Sequence, residues 1–272
     1  MKNIKHLFIL FFAFLLLGCG DNNDNTPAAG TGLLVHLERA LGGVFYEWID
    51  LTYDDDQRLK KIDLQFEGFL EQLYEINYDG TELSILTHTI NNTNTGNITV
   101  TEYEIIQEGN EITLKTNEDG DQYLIRISNG YIDYFKAYYG PNNEYFNKTV
   151  FTRNADNNIE KVEYFAIDAS VTEFKVYEYT YTNHDGTFDF PNVYNPVMDF
   201  SFTTYNPYLG EIMGFKISAQ APLKSSYWDA GGTFREANLI ATPLIEDGVL
   251  QELSYEDMGT GNTDYLLKLS YN

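Results

Sequence analysis

Cysteine is almost absent from this chain: Cys19 is the only one in 272 residues. A single thiol cannot close an intramolecular disulfide, and the paired-cysteine zinc motifs are excluded with it. Stability has to come from buried surface, and a chain of this length can bury roughly 70–75% of its unfolded area. Basic residues are scarce as well. Seventeen Lys and Arg stand against 41 Asp and Glu, a formal net charge of −24. Such a surface repels nucleic acid and anionic headgroups. There are four histidines, no two of them close in sequence and none in an H-E-x-x-H pattern, so no locally encoded zinc centre exists. The nucleophile elbow G-x-S-x-G is missing too, and no cofactor-binding motif is present. Long apolar runs are lacking with one exception, Leu7 to Leu17, eleven residues. A membrane-spanning helix needs about 20.

That one run sits between Lys2 and Lys5 on one side and an abruptly polar stretch on the other. A short basic segment followed by an apolar run of this length fits a secretory signal. It ends Leu15-Leu16-Leu17-Gly18-Cys19, which resembles the lipobox of bacterial lipoproteins. The resemblance implies cleavage after Gly18, diacylglycerol on the Cys19 thiol and acylation, as with palmitate, of the new amine. One acyl chain anchors only marginally, and two or three anchor firmly. Residues 1–18 are then a signal peptide. Residues 19–32, "CGDNNDNTPAAGTG", cannot bury apolar area and read as a flexible tether. Asp21 and Asp24 just after the cysteine resemble the surface-export signals of Bacteroidota lipoproteins. The expected address is the outer membrane, lipid-anchored, facing either the periplasm or the exterior.

What the rest of the chain has in abundance is aromatic residues: 22 Tyr and 18 Phe. Aromatics favour strands, and period-two alternation, the strand signature, is plain in several places. In "KVYEYTY" Tyr177, Tyr179 and Tyr181 share a face. In "DYLLKLSYN" Tyr265, Leu267, Leu269 and Tyr271 do, and in "QYLIRIS" Tyr123, Ile125 and Ile127 do. Between such runs lie turn signals, among them "YDDDQ" (53–57), "YDGTE" (78–82), "SNGY" (128–131), "ADNN" (155–158) and "EDGV" (246–249). Asn-Gly and Asp-Gly supply the positive φ of tight hairpin turns. Gly109, Gly120, Gly130 and Gly140 recur at intervals of 10 or 11 residues, the spacing of an antiparallel meander.

The units "LTYDDDQRLKKIDL" (51–64), "INYDGTELSIL" (76–86), "YTNHDGTFDF" (181–190) and "TPLIEDGVLQELSY" (242–255) each read strand, acidic turn, strand. They resemble the YD-type β-hairpin repeats of Rhs-like proteins and of many Bacteroidota outer-membrane lipoproteins, over residues 45–190 and 237–272. The resemblance implies a β-meander and no activity. The expected fold is all-β: residues 33–272 form one antiparallel meander curled into an open barrel or a sandwich, because a flat layer would leave edges and an apolar face exposed.

Residues 187–235 break the pattern with four of the seven prolines. They read as an insertion covering one end of the sheet. "NPVMDFSFTTYNPYLGEIMGF" (195–215) predicts two short helices, each opened by Asn-Pro, and "SAQAPLKSSYWDAGG" (218–232) reads as loop. Tyr205, Tyr208, Tyr227 and Trp228 fall here. Tyr and Trp favour interfaces, and an irregular segment can turn rings outward, so these four form the candidate ligand-binding set. Three weaker candidates remain. Glu102 and Glu104 stand on one strand face, about 6.6 Å apart, within the range of glycosidase carboxylates. The turns "DDD" (54–56) and "NADNN" (154–158) could hold a cation, although turn chemistry explains them as well. His36, His88 and His184 read as surface or turn histidines. No metal and no cofactor is expected. The functional expectation is a non-catalytic envelope protein that binds a glycan, a peptide or a partner protein, with a carboxylate-based glycosidase-like hydrolase as the alternative.

Overall fold

The computed structural model describes residues 32–41, 44–66, 70–116, 122–139, 144–167, 172–187, 208–229, 234–235, 239–247, 249–257 and 262–272. Among them the alternating segments become strands β1 (Leu34–Leu41), β2 (Val44–Tyr53), β3 (Leu59–Phe66), β4 (Leu70–Asp79), β5 (Glu82–Asn92) and β6 (Asn97–Glu108). Then follow β7 (Glu111–Thr116), β8 (Gln122–Ser128), β9 (Tyr131–Tyr139), β10 (Glu144–Arg153), β11 (Ile159–Ile167) and β12 (Glu173–Asp185). One short helix, α1 (Tyr208–Met213), precedes β13 (Ala221–Asp229), β14 (Phe234–Arg235), β15 (Leu239–Glu246), β16 (Val249–Asp257) and β17 (Asn262–Tyr271).

Successive strands pair antiparallel, and the sheet curls until β1 meets β17, Leu34 opposite Tyr271 and Leu41 opposite Tyr265. The expected meander is therefore a seventeen-stranded, nearly closed barrel. Its weak seam lies at β13–β15, joined among the described residues by the pair Lys224–Ile240, while the two-residue β14 pairs with β13. Closure removes the edges that an open sheet would leave to solvent.

A round barrel of this strand number would enclose an aqueous lumen. Here the inward residues are sealed instead: Leu37, Ile49, Ile62, Leu64, Ile125, Ile132 and Leu267 are all 0% exposed and belong to one apolar cluster. Filling the interior requires opposite walls to approach to about 10 Å, the spacing of packed sheets. The outward positions are mostly polar. Glu71, Glu75 and Asn77 on β4 are exposed between buried Tyr74 and Ile76, and Lys61, Asp63, Lys161 and Glu163 form outward ion pairs.

The turns repeat with an offset of one hundred residues. Asp54 Oδ1 accepts hydrogen bonds from the amides of Asp56 and Arg58, and Asn154 Oδ1 accepts from those of Asp156 and Asn158, all at 2.9–3.0 Å. Gln57 and Asn157 carry the same positive φ, 62° and 61°. A side-chain latch recurs as well. Tyr53 Oη donates to the Leu34 carbonyl, Tyr78 Oη to the Leu59 carbonyl, and His184 Nε2 contacts the Ile159 carbonyl. Each ties the end of one strand to the start of the strand before it.

The segment around α1 closes the end of the barrel where these latches lie. Ile212, Phe215 and Ile217 are buried in the common core. Lys216 exchanges backbone hydrogen bonds with Gly130 and Ile132, Arg153 Nε donates to the Ile217 carbonyl, and the Ala219 amide donates to Asn157. The helix expected after Asn206-Pro207 is present as α1; the one expected from residue 195 lies outside the described residues. The loop expected over 218–232 is corrected: nine of those residues form β13, because their backbone pairs with β12 from Ala221–Asp185 to Asp229–Tyr177. Pro222 is compatible because it sits at the start of the strand.

Candidate functional site

The interior is graded along the barrel axis. Near the latches it is apolar, with Phe151, Tyr181 and Phe215 buried among aliphatic side chains. Toward the opposite end it turns more polar, and β10 contributes the buried Asn147 and Thr149. Tyr164 stacks on Tyr177 at 4.9 Å, and Tyr177 meets Tyr179 edge-on at 5.7 Å. Arg39 and Glu47 face each other across β1–β2 as an ion pair, Nε to Oε2 2.5 Å, with Glu47 1% exposed.

His88 belongs to this interior and is not the surface histidine that the sequence suggests. Its ring lies flat against Tyr74, centroids 4.2 Å apart and planes 8° from parallel. Gln72 Oε1 accepts from both Tyr74 Oη, at 3.2 Å, and His88 Nε2, at 3.0 Å. An acceptor partner fixes the proton on Nε2 in the neutral ring. Burial pushes the His88 pKa down to about 4, so the imidazole is uncharged at neutral pH.

The outer face offers two concentrations of side-chain chemistry. The first is a shallow groove of about 250 Å³ on β1, β15, β16 and β17, lined by His36, Glu38, Leu244, Glu252, Lys268 and Ser270 among others. His36 is held between Asp50 at 2.6 Å and Glu38 at 3.4 Å. Ser270 is its cross-strand neighbour, but Nε2 contacts Glu38, so the geometry gives no Ser-His-Asp relay.

The second concentration surrounds Trp228. In register, Glu163, Glu178 and Trp228 form one row across β11, β12 and β13. Trp228 is half-buried, and its Nε1 lies 3.5 Å from Thr180 Oγ1, to which it donates. Beside this row, Lys175 contacts Glu178 at 2.7 Å and Glu163 at 3.4 Å, and Lys148 lies over the Phe165 ring at 4.7 Å. Burial alone would raise the Glu163 pKa, but hydrogen bonds from Lys161 and Lys175 outweigh it and hold the carboxyl low. The patch combines flat rings with fixed charges of both signs.

Of the expected ligand-binding residues, Tyr205 lies outside the described residues, as does Cys19. Tyr208 opens α1. Tyr227 and Trp228 are consecutive on β13, paired with Tyr179 and Glu178. As successive positions on a strand they fall on alternate sides of the pleat. Glu102 and Glu104 stand exposed on β6, opposite Thr87 and Ile85 on β5, and Glu104 is also opposite Lys115 on β7. An open strand face gives them no enclosing cleft. The Asp54 carboxyl is occupied by turn amides and by Arg58, which donates from Nε at 2.8 Å and holds its pKa low. Asn154 does the same turn work without charge, so turn geometry accounts for both loops. No group of three or more metal-ligating side chains converges among the described residues. The row around Trp228 escaped the sequence reading because its members come from three strands; Trp228 was its only visible signal.

No family model matches the sequence, and no curated protein matches it. Among solved structures, a porin-like protein from Bacteroides uniformis ATCC 8492 aligns with 89% of this chain and 98% of its own at 11% identity, with a TM-score of 0.40. The barrel is also similar to that of a porin-like protein from Bacteroides vulgatus ATCC 8482, which covers 89% of this chain and 99% of its own at 13% identity with a TM-score of 0.55, a likeness of fold.

Proposed function

We propose that this chain is a lipid-anchored protein of the bacterial outer membrane whose barrel stands in water beside the bilayer and binds a glycan through the outer face around Trp228. The observation that carries the reading is the polarity of the two barrel faces. A membrane-spanning barrel turns an apolar band outward and keeps polar residues within. This one is built the other way round. A Lys or Arg facing lipid costs about 2–4 kcal/mol at the midplane. Lys61, Lys136, Lys148, Lys161, Lys175 and Lys268 all lie on outward strand faces. Together they would consume the roughly 5–15 kcal/mol stability of a domain. Among the described residues the filled interior also leaves no conducting lumen. The lipobox-like "LLLGC" then supplies the membrane attachment that the barrel lacks, and the likeness of fold to the porin-like protein from Bacteroides vulgatus agrees with an outer-membrane setting.

Glycan binding rests on the rings and charges around Trp228. A flat indole offers a stacking surface, and Glu178, Glu163 and Lys175 offer fixed acceptors and donors beside it.

Detergent-phase partition tests the anchor. The wild-type chain should enter the detergent phase and incorporate palmitate label; Cys19→Ala should do neither and should remain folded in detergent-free buffer. A Cys19→Ala chain that needs detergent to stay folded would mean that the barrel itself is embedded. Affinity electrophoresis against a polysaccharide panel tests the binding. Retardation by at least one polysaccharide, lost in Trp228→Ala, is expected; equal mobility of both chains in every gel refutes it.

A further inference from the structure

Strand β6 outruns its neighbour. Its first pair with β7 is Tyr103–Thr116, yet β6 begins at Asn97 and pairs with β5 from Asn92–Asn97 onward. Six residues, Asn97–Glu102, are therefore paired along one edge and meet no strand along the other among the described residues. At about 3.3–3.4 Å per residue the free edge is roughly 20 Å long. On this edge Ile98 is 65% and Val100 59% exposed, the most exposed large apolar side chains among the described residues. Thr99 between them is exposed too, so the tip of the β5–β6 hairpin stands clear of the barrel wall on both faces. Soluble proteins guard such edges with lysine, proline, a bulge or a covering loop. Asn97-Ile98-Thr99-Val100-Thr101 has no charge and no proline, and its pairing with β5 shows no register shift.

We propose that this edge pairs antiparallel with the same edge of a second copy of the chain, about a two-fold axis through Thr99. The segment is complementary to itself in that register. Ile98 falls opposite the partner copy's Val100 and Val100 opposite its Ile98, so four β-branched side chains gather on one face. Thr99 meets Thr99, Thr101 meets Asn97, and Glu102 falls opposite Gly96, with no like charges facing each other. Apolar β-branched and Thr–Thr cross-strand pairs both stabilise a sheet. An axis through Val100 would instead set Ile98 opposite Glu102. A two-fold contact of this kind closes on itself and stops at the dimer. Because the hairpin tip projects, the two edges can run side by side while the acidic barrels stay apart, and at physiological salt the Debye length is about 8 Å.

Disulfide trapping in the full chain carrying Cys19→Ser tests the register, because an introduced thiol is then the only one. Residues directly opposite each other in an antiparallel pair have Cα atoms about 4.5–5.5 Å apart, within the roughly 4.4–6.8 Å of a disulfide. Thr99→Cys should therefore form covalent dimers under mild oxidation. Thr101→Cys should not, since its own copy lies four residues along the strand, about 13 Å away. Sedimentation should give the Cys19→Ser chain a monomer–dimer equilibrium that Val100→Lys weakens by about tenfold or more. Sedimentation as a monomer throughout, with Val100→Lys changing nothing, would assign the edge to another protein's strand or to none. Equal cross-linking at positions 99 and 101 would remove the register. Either result overturns the proposal.

Discussion

The His88–Tyr74–Gln72 cluster makes the stability of the barrel depend on pH. Folding keeps His88 neutral, with its pKa pushed down to about 4 by burial, whereas a histidine in the unfolded chain titrates near 6.5. A group whose folded pKa is depressed binds its proton first in the unfolded state. Its contribution is therefore fully present above the unfolded pKa and is lost as pH falls toward the folded one. Over that interval the unfolded chain gains about 2 kcal/mol by pH 5 and about 3 kcal/mol by pH 4. His88→Phe removes the proton site while keeping a flat ring against Tyr74, and Gln72 retains the Tyr74 hydroxyl as a donor. Urea unfolding of wild type and His88→Phe at pH 7, 6 and 5 measures the effect as a difference between two pH profiles, which cancels the carboxylates common to both. The wild type should lose about 2 kcal/mol more than the variant between pH 7 and pH 5. Parallel profiles would refute the reasoning and would mean that the ring is hydrated or charged in the folded state.

Four further outcomes follow from the packing. Glu47→Ala leaves Arg39 charged within the barrel and should cost about 3–5 kcal/mol in urea unfolding. Asp54→Asn keeps the Oδ1 acceptor that Asn154 uses in the twin turn, so its urea midpoint should lie closer to wild type than that of Asp54→Ala. Gly130 sits at φ +79° after Asn129 at φ 53°, a pair that suits a tight hairpin; Gly130→Ala should lower stability by about 1 kcal/mol. Trp228→Ala, which removes a half-buried ring, should cost about 1–2 kcal/mol and leave a folded barrel by circular dichroism, so that any loss of glycan retention reads as lost contact.

Local chemistry was legible in the sequence. Alternation placed Tyr177, Tyr179, Ile125, Leu267 and Leu269 on the inner face, and the dipeptide Asn129-Gly130 marked its hairpin. Three things were not legible, for separate physical reasons. Closure of the barrel depends on β1 meeting β17, a pairing between opposite ends of the chain that no local pattern encodes. Strand β13 has Pro222 as its second residue and carries Lys224, Ser225 and Ser226 where apolar alternation would be expected; its pairing with β12 overrides its weak propensity. On β10 the pattern is inverted, with Thr149 inward and Val150 outward, because that end of the interior accepts polar groups. The candidate site shows the same division. Trp228 stood out as a rare residue, but Glu163, Glu178 and Lys175 join it only through the register of three strands.

The pairing of Leu34 with Tyr271 also sets how the molecule can fold. Hairpins such as β4–β5 need only neighbouring residues and can form within microseconds. The ring cannot close until its last strand exists, so the final event joins the first and last strands of the sheet. Non-local closure of this kind belongs to the slow end of single-domain folding, milliseconds to seconds. Until then β1 and β16 are both open edges, and the growing sheet is a template for other chains. Loss of the last strand alone would therefore do more than remove one strand of the wall: it would make the open intermediate permanent.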